Sequence, residues 1–416
     1  MKKNRRTILD VLGPGLVTGA ADDDPSGIGT YSQVGAQFGY GMAWTMFFGY
    51  PLLASIQAIC AQIGATTGKG IARNLRQHYP RSLLQAVVLL LLIANVINLG
   101  ADLGAMAAAL ELLLPGPLLL YTFLFGLVSV GLEIFISYER YASVLKWTTL
   151  SLFTYVAVVF VADVPVGEAV LATLVPQFTF DKPHAMALVA IFGTTISPYL
   201  FFWQAGQEVE EQHRRHTKPL CVSPLTTGAE LARIRADTLV GMGFSHVVAL
   251  FIIVATAATL HANGITEIET AAQAAQALRP IAGDLAFALF AIGIIGTGML
   301  AVPVLAGSAA YAVSETFDWT EGLDRKPREA KAFYSVIALA TLGGIALNLI
   351  GIDPMKALYW AAVVNGLLAP PLMVVTMLIA RNPAVMGGMP ISRRLAFGGW
   401  LATAVMAAVA AIFLLV

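Results

Sequence analysis

Long apolar segments follow one another along almost the whole chain, and they constrain the fold more than any other feature. Of the 416 residues, 57% are hydrophobic and only 12% are charged, and the mean hydropathy is +0.75. Because a helix needs about 20 apolar residues to cross a hydrocarbon layer, the sequence predicts a single transmembrane domain over 1–416. The predicted spans are 9–37, 41–64, 82–110, 117–136, 143–162, 184–208, 236–260, 280–313, 332–350, 355–380 and 396–416.

The first predicted span contains an acidic interruption. Asp22, Asp23 and Asp24 precede Pro25, and Gly27 follows. Charge at membrane depth is costly and normally faces a cavity or a partner. Proline removes a backbone donor and glycine loosens the backbone, so the helix is predicted to break from Asp24 to Gly27. A broken helix with carboxylates inside a bilayer is typical of a cation pathway. The alternative is that the aspartates only cap the second half-helix.

The sixth predicted span contains a second interruption, at 195–198. It lies five spans after the first, and discontinuous helices at matching positions of two halves indicate an inverted-repeat transporter. The predicted repeats cover about 9–162 and 184–380, and 396–416 is an additional helix. The alternative is that Pro198 only kinks its helix.

Lysine and arginine are distributed unequally between alternate connections. Of the 25 in the chain, 22 lie in one set, and the other set holds only Lys182, Arg279 and Lys356. The positive-inside rule therefore predicts a bacterial-type inner (plasma) membrane protein with a cytoplasmic N-terminus and an extracytoplasmic C-terminus. This distribution indicates that both interrupted segments cross the membrane. If either did not cross, the basic connections before and after it would lie on opposite faces.

Short motifs in four spans carry a family resemblance. They are Gly13-Pro14-Gly15 with Asp24-Pro25, Ala101-Asp102-Leu103, Ser197-Pro198 and the segment 302–311. In these motifs the chain resembles the Nramp divalent-metal transporters, over nearly its full length. The resemblance implies an all-α polytopic membrane protein with a LeuT-type fold, built from two inverted five-helix repeats plus an eleventh helix. It also implies a divalent metal cation as the transported substrate and no cofactor.

The resemblance further implies a metal site where the two breaks meet. Family members carry Asp-Pro-Gly-Asn in span 1 and Met-Pro-His in span 6, and their Asp, Asn and Met side chains bind the metal with help from backbone carbonyls. The corresponding substrate-site residues are Ala21, Asp24, Ser26, Gly27, Thr194, Ser197 and Tyr199. Further candidates are Asp22, Asp23, Gln204 and Asn365, and Asp102 is the candidate for a proton route.

Several positions depart from the family pattern. Gly27 stands where the family has asparagine, Ser197 replaces the methionine, Tyr199 replaces the histidine, and Ala105 replaces an acidic residue. Loss of the thioether removes the ligand that favours soft metals, and a site of carboxylate, hydroxyl and carbonyl oxygens suits a hard cation. We therefore predict transport of a harder cation than Mn or Fe, with weak or no proton coupling.

Other function classes find little support. The sequence contains no glycine-rich phosphate loop, no GxSxG and no HExxH motif, so we expect no enzymatic activity. The expected partners are the lipid bilayer and the cation, without nucleic acid; the oligomeric state stays open, and a monomer is compatible with the sequence. The alternatives are a transporter of a small organic solute on the same fold and a non-transporting membrane sensor.

Two further groups of polar residues are expected to be structural. Asn95, Asn98 and Asn365 are interpreted as making hydrogen bonds between helices. The carboxylates at 208–211 are interpreted as the solvated end of span 6.

Overall fold

The computed structural model describes residues 13–136 and 151–416, and helices form most of both ranges without any strand. The α-helices are α1 (Pro14–Asp22), α2 (Pro25–Phe38), α3 (Trp44–Thr67), α4 (Ile71–His78), α5 (Arg81–Glu111), α6 (Leu118–Phe135), α7 (Phe153–Val161), α8 (Val166–Leu174), α9 (Lys182–Thr195), α10 (Pro198–Arg214), α11 (Thr227–Thr259), α12 (Ala271–Ala275), α13 (Arg279–Ala282), α14 (Ala286–Phe317), α15 (Lys331–Leu347), α16 (Pro354–Arg381) and α17 (Arg393–Leu415).

Within the described ranges, nine helical segments are long and apolar enough to cross a membrane. They coincide with all the predicted spans except the first and the fifth. The first predicted span is divided into α1 and α2, each too short to cross alone. The fifth lies partly outside the described residues, and α7 represents its second half.

Both interrupted spans resume at a proline. Proline is favoured at the first position of a helix, where its missing N–H is not needed and its fixed φ suits the helix. Pro25 therefore starts α2, and the first break lies at Asp23–Asp24, earlier than the 24–27 expected from the sequence. Pro198 starts α10, so the second break lies at Ile196–Ser197, within the predicted 195–198.

Two helices extend beyond their predicted ends. The sixth span continues to Arg214 rather than ending at 208, and the seventh begins at Thr227 rather than 236. The added first turns of α11 pair with the end of the predicted sixth span, where Arg233 of α11 forms an ion pair with Glu208 of α10. Ion pairing between the two helices lets both continue beyond their apolar runs.

The four half-helices pack on different neighbours. The half-helix α1 packs on α11, and α2 packs on α11 and α16. The half-helix α9 packs on α16, while α10 packs on α3 and α14. The long helix α5 crosses the centre of the bundle against α14, α15 and α16. Each break is therefore enclosed by uninterrupted helices.

Glycines allow two of these contacts to be very close. A Cβ added to Gly19 of α1 would lie 2.2 Å from the carbonyl oxygen of Gly241 in α11. A Cβ added to Gly193 of α9 would lie 2.0 Å from the carbonyl oxygen of Ala362 in α16. Small residues permit such backbone approach between membrane helices. The half-helix before each break is thus held directly against a continuous helix.

Candidate functional site at the helix breaks

Asp24 lies where α1, α2, α5 and α10 meet, and it is only 1% exposed. Its Oδ1 accepts a hydrogen bond of 2.7 Å from the backbone N–H of Gly27, which caps α2. Its Oδ2 accepts from Nδ2 of Asn98 in α5 at 3.1 Å and from the hydroxyl of Tyr199 in α10 at 3.3 Å. The capping alternative is therefore correct for Asp24, but the same carboxylate also gathers donors from two other helices.

A row of polar side chains connects Asp24 to the opposite side of the bundle. Nδ2 of Asn365 donates to Oδ1 of Asn98 at 3.0 Å. Nδ2 of Asn98 also lies 3.5 Å from Oδ2 of Asp102, one helical turn further along α5. Both asparagines do bond between helices, as expected, and they also adjoin the site. By contrast, Asn95 donates to the carbonyl of Leu305, a purely structural bond.

Asn98 is a site residue that the sequence reasoning missed. Its signal was the spacing to Asp102, because residues four apart share one face of a helix. That face of α5 points at the first break.

The residues at the second break turn towards the first. The hydroxyl of Tyr199 donates to the carbonyl of Ala21 at 3.1 Å as well as facing Asp24. Oγ of Ser26 lies 3.4 Å from Oγ1 of Thr194. The Ser197 hydroxyl donates to the carbonyls of Gly193 and Thr194, both at 2.8 Å. The structure therefore brings Ala21, Asp24, Ser26, Thr194, Ser197 and Tyr199 together.

Gly27 lies between the end of α1 and Thr194 of α9. A Cβ added there would lie 3.3 Å from the carbonyl oxygen of Asp22 and 3.4 Å from Oγ1 of Thr194. A side chain at this position requires its neighbours to shift by a few tenths of an ångström. Gly27 therefore offers the site its backbone and no side-chain ligand.

Asp22 and Asp23 face another part of the bundle. The hydroxyl of Ser245 in α11 lies 2.7 Å from Oδ2 of Asp22 and 3.1 Å from Oδ1 of Asp23. Among the described residues, neither carboxylate shares a hydrogen-bond partner with Asp24. The structure therefore separates these two candidates from the site around Asp24.

Gln204 lies beside the site rather than in it. Its Oε1 accepts a hydrogen bond from the hydroxyl of Thr18, which joins α10 to α1. This contact lies more than one turn from the breaks along both half-helices, and it holds the two half-helices together.

Two of the three carboxylates at 208–211 are buried rather than solvated, which corrects the expectation for them, while Glu211 stays partly exposed and pairs with Arg214. Glu208 is 1% exposed and forms an ion pair with Arg233. Glu210 is 8% exposed, and it accepts from the hydroxyl of Tyr311 and from the backbone N–H of Leu323. Sequence reasoning could not supply these partners, because all of them come from distant segments.

The same end of the bundle also fixes the start of α1. The carboxylate of Asp237 in α11 accepts from the backbone N–H groups of Gly13, Gly15 and Leu16, at 2.9, 2.7 and 3.1 Å. Together with the pairing of Arg233, this contact closes the bundle at the end that carries the basic connections.

A cavity opens at the opposite end. It has a volume of about 220 Å³ and is lined by Gly29, Gln33, Glu267, Ile268, Glu269, Met355, Lys356, Tyr359 and Trp360. Its floor at Gly29 is five residues from Asp24, about 7.5 Å along α2. Leu358 closes the floor, since a Cβ added to Gly29 would lie 2.7 Å from its Cδ1. The site around Asp24 is thus closed towards the cavity by Leu358, and towards the opposite end by the contacts of Arg233 and Asp237.

The oxygens around Asp24 decide what the site can bind. Among the described residues, no group of three or more His, Cys, Asp or Glu side chains is placed to hold a metal ion. A cation beside Asp24 must therefore complete its coordination with hydroxyl, amide and backbone carbonyl oxygens. Such oxygen ligands suit hard cations.

Comparison with known proteins agrees with this geometry. The family model described as natural resistance-associated macrophage protein-like (Nramp) matches residues 15–416. The divalent metal cation transporter MntH of Klebsiella pneumoniae (strain 342) is 26% identical over 413 residues, covering 96% of this chain and 92% of that protein. MntH of Deinococcus radiodurans is 25% identical over 415 residues, covering 95% of this chain and 87% of that protein.

Solved structures show the same fold. A manganese transporter of Eremococcus coleocola matches with a TM-score of 0.75 at 17% identity, over 99% of this chain and 88% of that one. Mhp1, a nucleobase-cation-symport-1 family transporter, matches with a TM-score of 0.63 at 16% identity, over 97% and 89%. The predicted all-α, LeuT-type fold is therefore confirmed, while the repeat boundaries stay a prediction.

The family match covers every described residue from 15 onwards. The relatives compared above are transporters rather than enzymes. The resemblance inferred from the motifs is thereby confirmed, and the chain belongs to the Nramp family.

Proposed function

We propose that the protein is a secondary transporter that moves a divalent metal cation across the plasma membrane by alternating access, with Asp24 as its main ligand. The observation that carries this proposal is the Asp24 carboxylate, buried at the junction of two interrupted spans with donors from α5 and α10 on its oxygens. Membership of the Nramp family and the name of the MntH relatives support a divalent cation as substrate.

The cation takes the place of protein donors that now occupy the site. Oδ2 of Asp24 is shared by Asn98 and Tyr199, and the carbonyls of Gly193 and Thr194 are bonded to Ser197. Rotation of the Tyr199 and Ser197 hydroxyls frees these oxygens. A rotated Asn98 amide presents its own oxygen, so Asn98 supplies the amide ligand that the family has at the position of Gly27. Ala21, Ser26 and Thr194 supply the remaining oxygens.

The ligand set favours a harder cation than Mn or Fe. None of the side chains bonded to Asp24 contains sulfur, and Ser197 stands where family members have a thioether. Carboxylate, hydroxyl and carbonyl oxygens favour Mg²⁺ and Ca²⁺ more than metals that prefer thioethers.

The same residues support weak or no proton coupling. The side chain in contact with Asp102 on its own helix is the amide of Asn98, which does not exchange a proton near neutral pH. Tyr199 and Ala105 stand where the family has groups that do. Asp102 alone is a short relay.

The distribution of basic residues supports a cytoplasmic N-terminus and an extracytoplasmic C-terminus. In this orientation the closed end at Arg233 faces the cytoplasm and the cavity at Gln33 faces outwards. The described conformation then corresponds to a carrier that is closed inside and nearly open outside.

A proteoliposome experiment tests the proposed function. Purified protein is reconstituted, and uptake of Mg²⁺, Mn²⁺ and Ca²⁺ is followed with ion-sensitive dyes inside the vesicles. We expect Mg²⁺ uptake at least equal to Mn²⁺ uptake, and no uptake in Asp24→Asn. The matched control is Asp353→Asn, which alters an Asp-Pro cap at the start of α16, outside the site. Failure of all three metals to enter would refute the proposal.

A further inference from the structure

We propose that Asn365 of α16 is a positioning residue for the cation, and that its side-chain amide and that of Asn98 reverse direction together when the cation binds. The proposal rests on the proposed function, in which Asn98 supplies an amide ligand beside Asp24. Asn365 does not itself bind the cation. It determines which end of the Asn98 amide faces Asp24, and therefore how readily the ligand oxygen becomes available.

Hydrogen bonds fix the direction of both amides in the described conformation. An ionised carboxylate only accepts, so Asn98 must turn its Nδ2 towards Oδ2 of Asp24, 3.1 Å away. Its Oδ1 then faces α16 and needs a donor, which Nδ2 of Asn365 provides at 3.0 Å. All three residues are at most 1% exposed, so solvent does not compete for these bonds. The order of donors and acceptors along this row is therefore set by the charge of Asp24.

A cation at Asp24 reverses this order. A hard metal ion binds oxygen and is not a partner for an amide N–H, so Asn98 must turn its Oδ1 towards the site. Its Nδ2 then faces Asn365 and needs an acceptor. Because asparagine carries both an amide oxygen and an amide nitrogen, rotation of Asn365 supplies that acceptor at the same position. Residue 365 must therefore donate before the cation binds and accept afterwards, which an apolar side chain cannot do.

The backbone beside Asn365 is held in place while the amides turn. A Cβ added to Gly366 would lie 2.3 Å from the carbonyl oxygen of Val189 in α9. A Cβ added to Gly193 of α9 would lie 2.4 Å from the backbone nitrogen of Gly366. Helix α16 therefore has no room to move towards α9. The reversal is a rotation about the last side-chain bond of asparagine, a torsion with broad, roughly two-fold preferences.

Loss of the Asn365 amide should harm the cation-bound form more than the described one. Without it, the oxygen of Asn98 loses its donor in the described form, and the N–H of Asn98 loses its acceptor in the bound form. Buried backbone N–H groups without a partner are rarer in proteins than under-satisfied carbonyl oxygens, which indicates that the second loss costs more. Removal of Asn365 should therefore weaken cation binding, and only through Asn98.

Calorimetric titration of the purified full chain with Mg²⁺ tests this dependence. We expect Asn365→Leu, a change of similar volume, to weaken binding about 10-fold. In an Asn98→Ala background the same change should weaken it by less than about two-fold, because residues that act through one another are not additive. The matched control is Asn95→Leu, which removes the bond from α5 to the Leu305 carbonyl and should leave the affinity unchanged. Equal losses with and without Asn98 would overturn the proposal, since they would indicate direct ligation or packing.

Side-chain amide signals of protein labelled with ¹⁵N-asparagine keep the proposal testable where a variant binds too weakly to be measured. As Mg²⁺ is added to the wild type, the signals of Asn98 and Asn365 should shift together along one saturation curve, while that of Asn95 stays in place. A shift of Asn98 alone, or of neither while Mg²⁺ binds, would overturn the proposal. Failure of the proposed function is distinct, because Mg²⁺ binding that depends on Asp24 would then be absent altogether.

Discussion

The α1–α2 break and the α9–α10 break have the same backbone plan and different charges. Each second half-helix begins at a proline, Pro25 or Pro198, and each first half-helix is held by a glycine against a continuous helix. At the first break three consecutive carboxylates are buried, whereas Ile196 and Ser197 at the second carry no charge. A break of this geometry can thus be formed with or without acidic residues, so the capping bond of Asp24 does not by itself explain three buried carboxylates at the first break.

The two residues before the prolines also bond in opposite directions. Asp24 accepts from an N–H of the helix that follows, so it closes the donor end of α2. Ser197 makes no cap bond to α10 and instead donates back to the carbonyls of Gly193 and Thr194. The first break therefore supplies negative charge, and the second supplies neutral oxygens. Substitutions at matching positions should have unequal effects on transport.

The largest expected effect is the loss of transport on removing the charge at the first break. Asp24→Asn should reduce cation uptake to background, because the ligand charge is lost while asparagine remains an equally good N-cap. Ser197→Ala at the second break should reduce uptake only a few-fold, since one neutral oxygen is lost. Initial rates in proteoliposomes check this at equal protein content. Equal losses in the two variants would contradict the proposed division between charge and neutral ligands.

The next effect concerns packing, in which the two breaks should be alike. Gly19→Ala and Gly193→Ala each place a Cβ within 2.2 Å of a carbonyl oxygen on another helix. Overpacking of this kind typically costs about 1–3 kcal/mol, so both should lower the unfolding midpoint and the yield of folded protein. Gly167→Ala in α8 is the control, because a Cβ there meets nothing within 4 Å. A tolerated Gly193→Ala would show that the second half of the bundle is packed more loosely.

How far the sequence could predict this site depends on where the information lies along the chain. The spans and both prolines are local signals, and the bundle forms around them as expected. The direction in which each aspartate side chain points is not determined by its neighbours in sequence. Asp22 and Asp23 point towards Ser245, which is more than 200 residues away. The burial of Glu208 likewise depends on Arg233 in the next span. The sequence therefore predicts neighbouring carboxylates as candidates for one site, although the fold turns Asp22 and Asp23 towards a different partner from that of Asp24.

A smaller effect is expected when a soft ligand is restored at the second break. Ser197→Met should raise the affinity for Mn²⁺ relative to Mg²⁺ by roughly 10-fold, about 1.4 kcal/mol, because a thioether favours the softer metal. Ser197→Leu has a similar volume without sulfur and serves as the control in competition titrations. Adding Gly27→Asn should help less, since its Cβ meets the Asp22 carbonyl at 3.3 Å. Tight Mn²⁺ binding by the unmodified protein would refute the hard-site interpretation.

The smallest effect is expected at Asp102, which lies on α5 beside the first break. If this carboxylate relayed protons, the charge at the first break would change during transport. The second break is neutral, so its charge would stay the same. Its neighbour Asn98 is an amide, and the phenol of Tyr199 keeps its proton at neutral pH, so the acceptor that remains nearby is the Asp24 carboxylate, which the bound cation occupies. We therefore expect Asp102→Asn to change the ratio of the uptake rates at acidic and neutral pH by less than about two-fold, roughly 0.4 kcal/mol. The measurement uses proteoliposomes that contain a pH-sensitive dye, with an imposed gradient of the transported cation. Acidification that follows the cation and disappears in Asp102→Asn would demonstrate a working relay, and the first break would then carry protons as well as the metal.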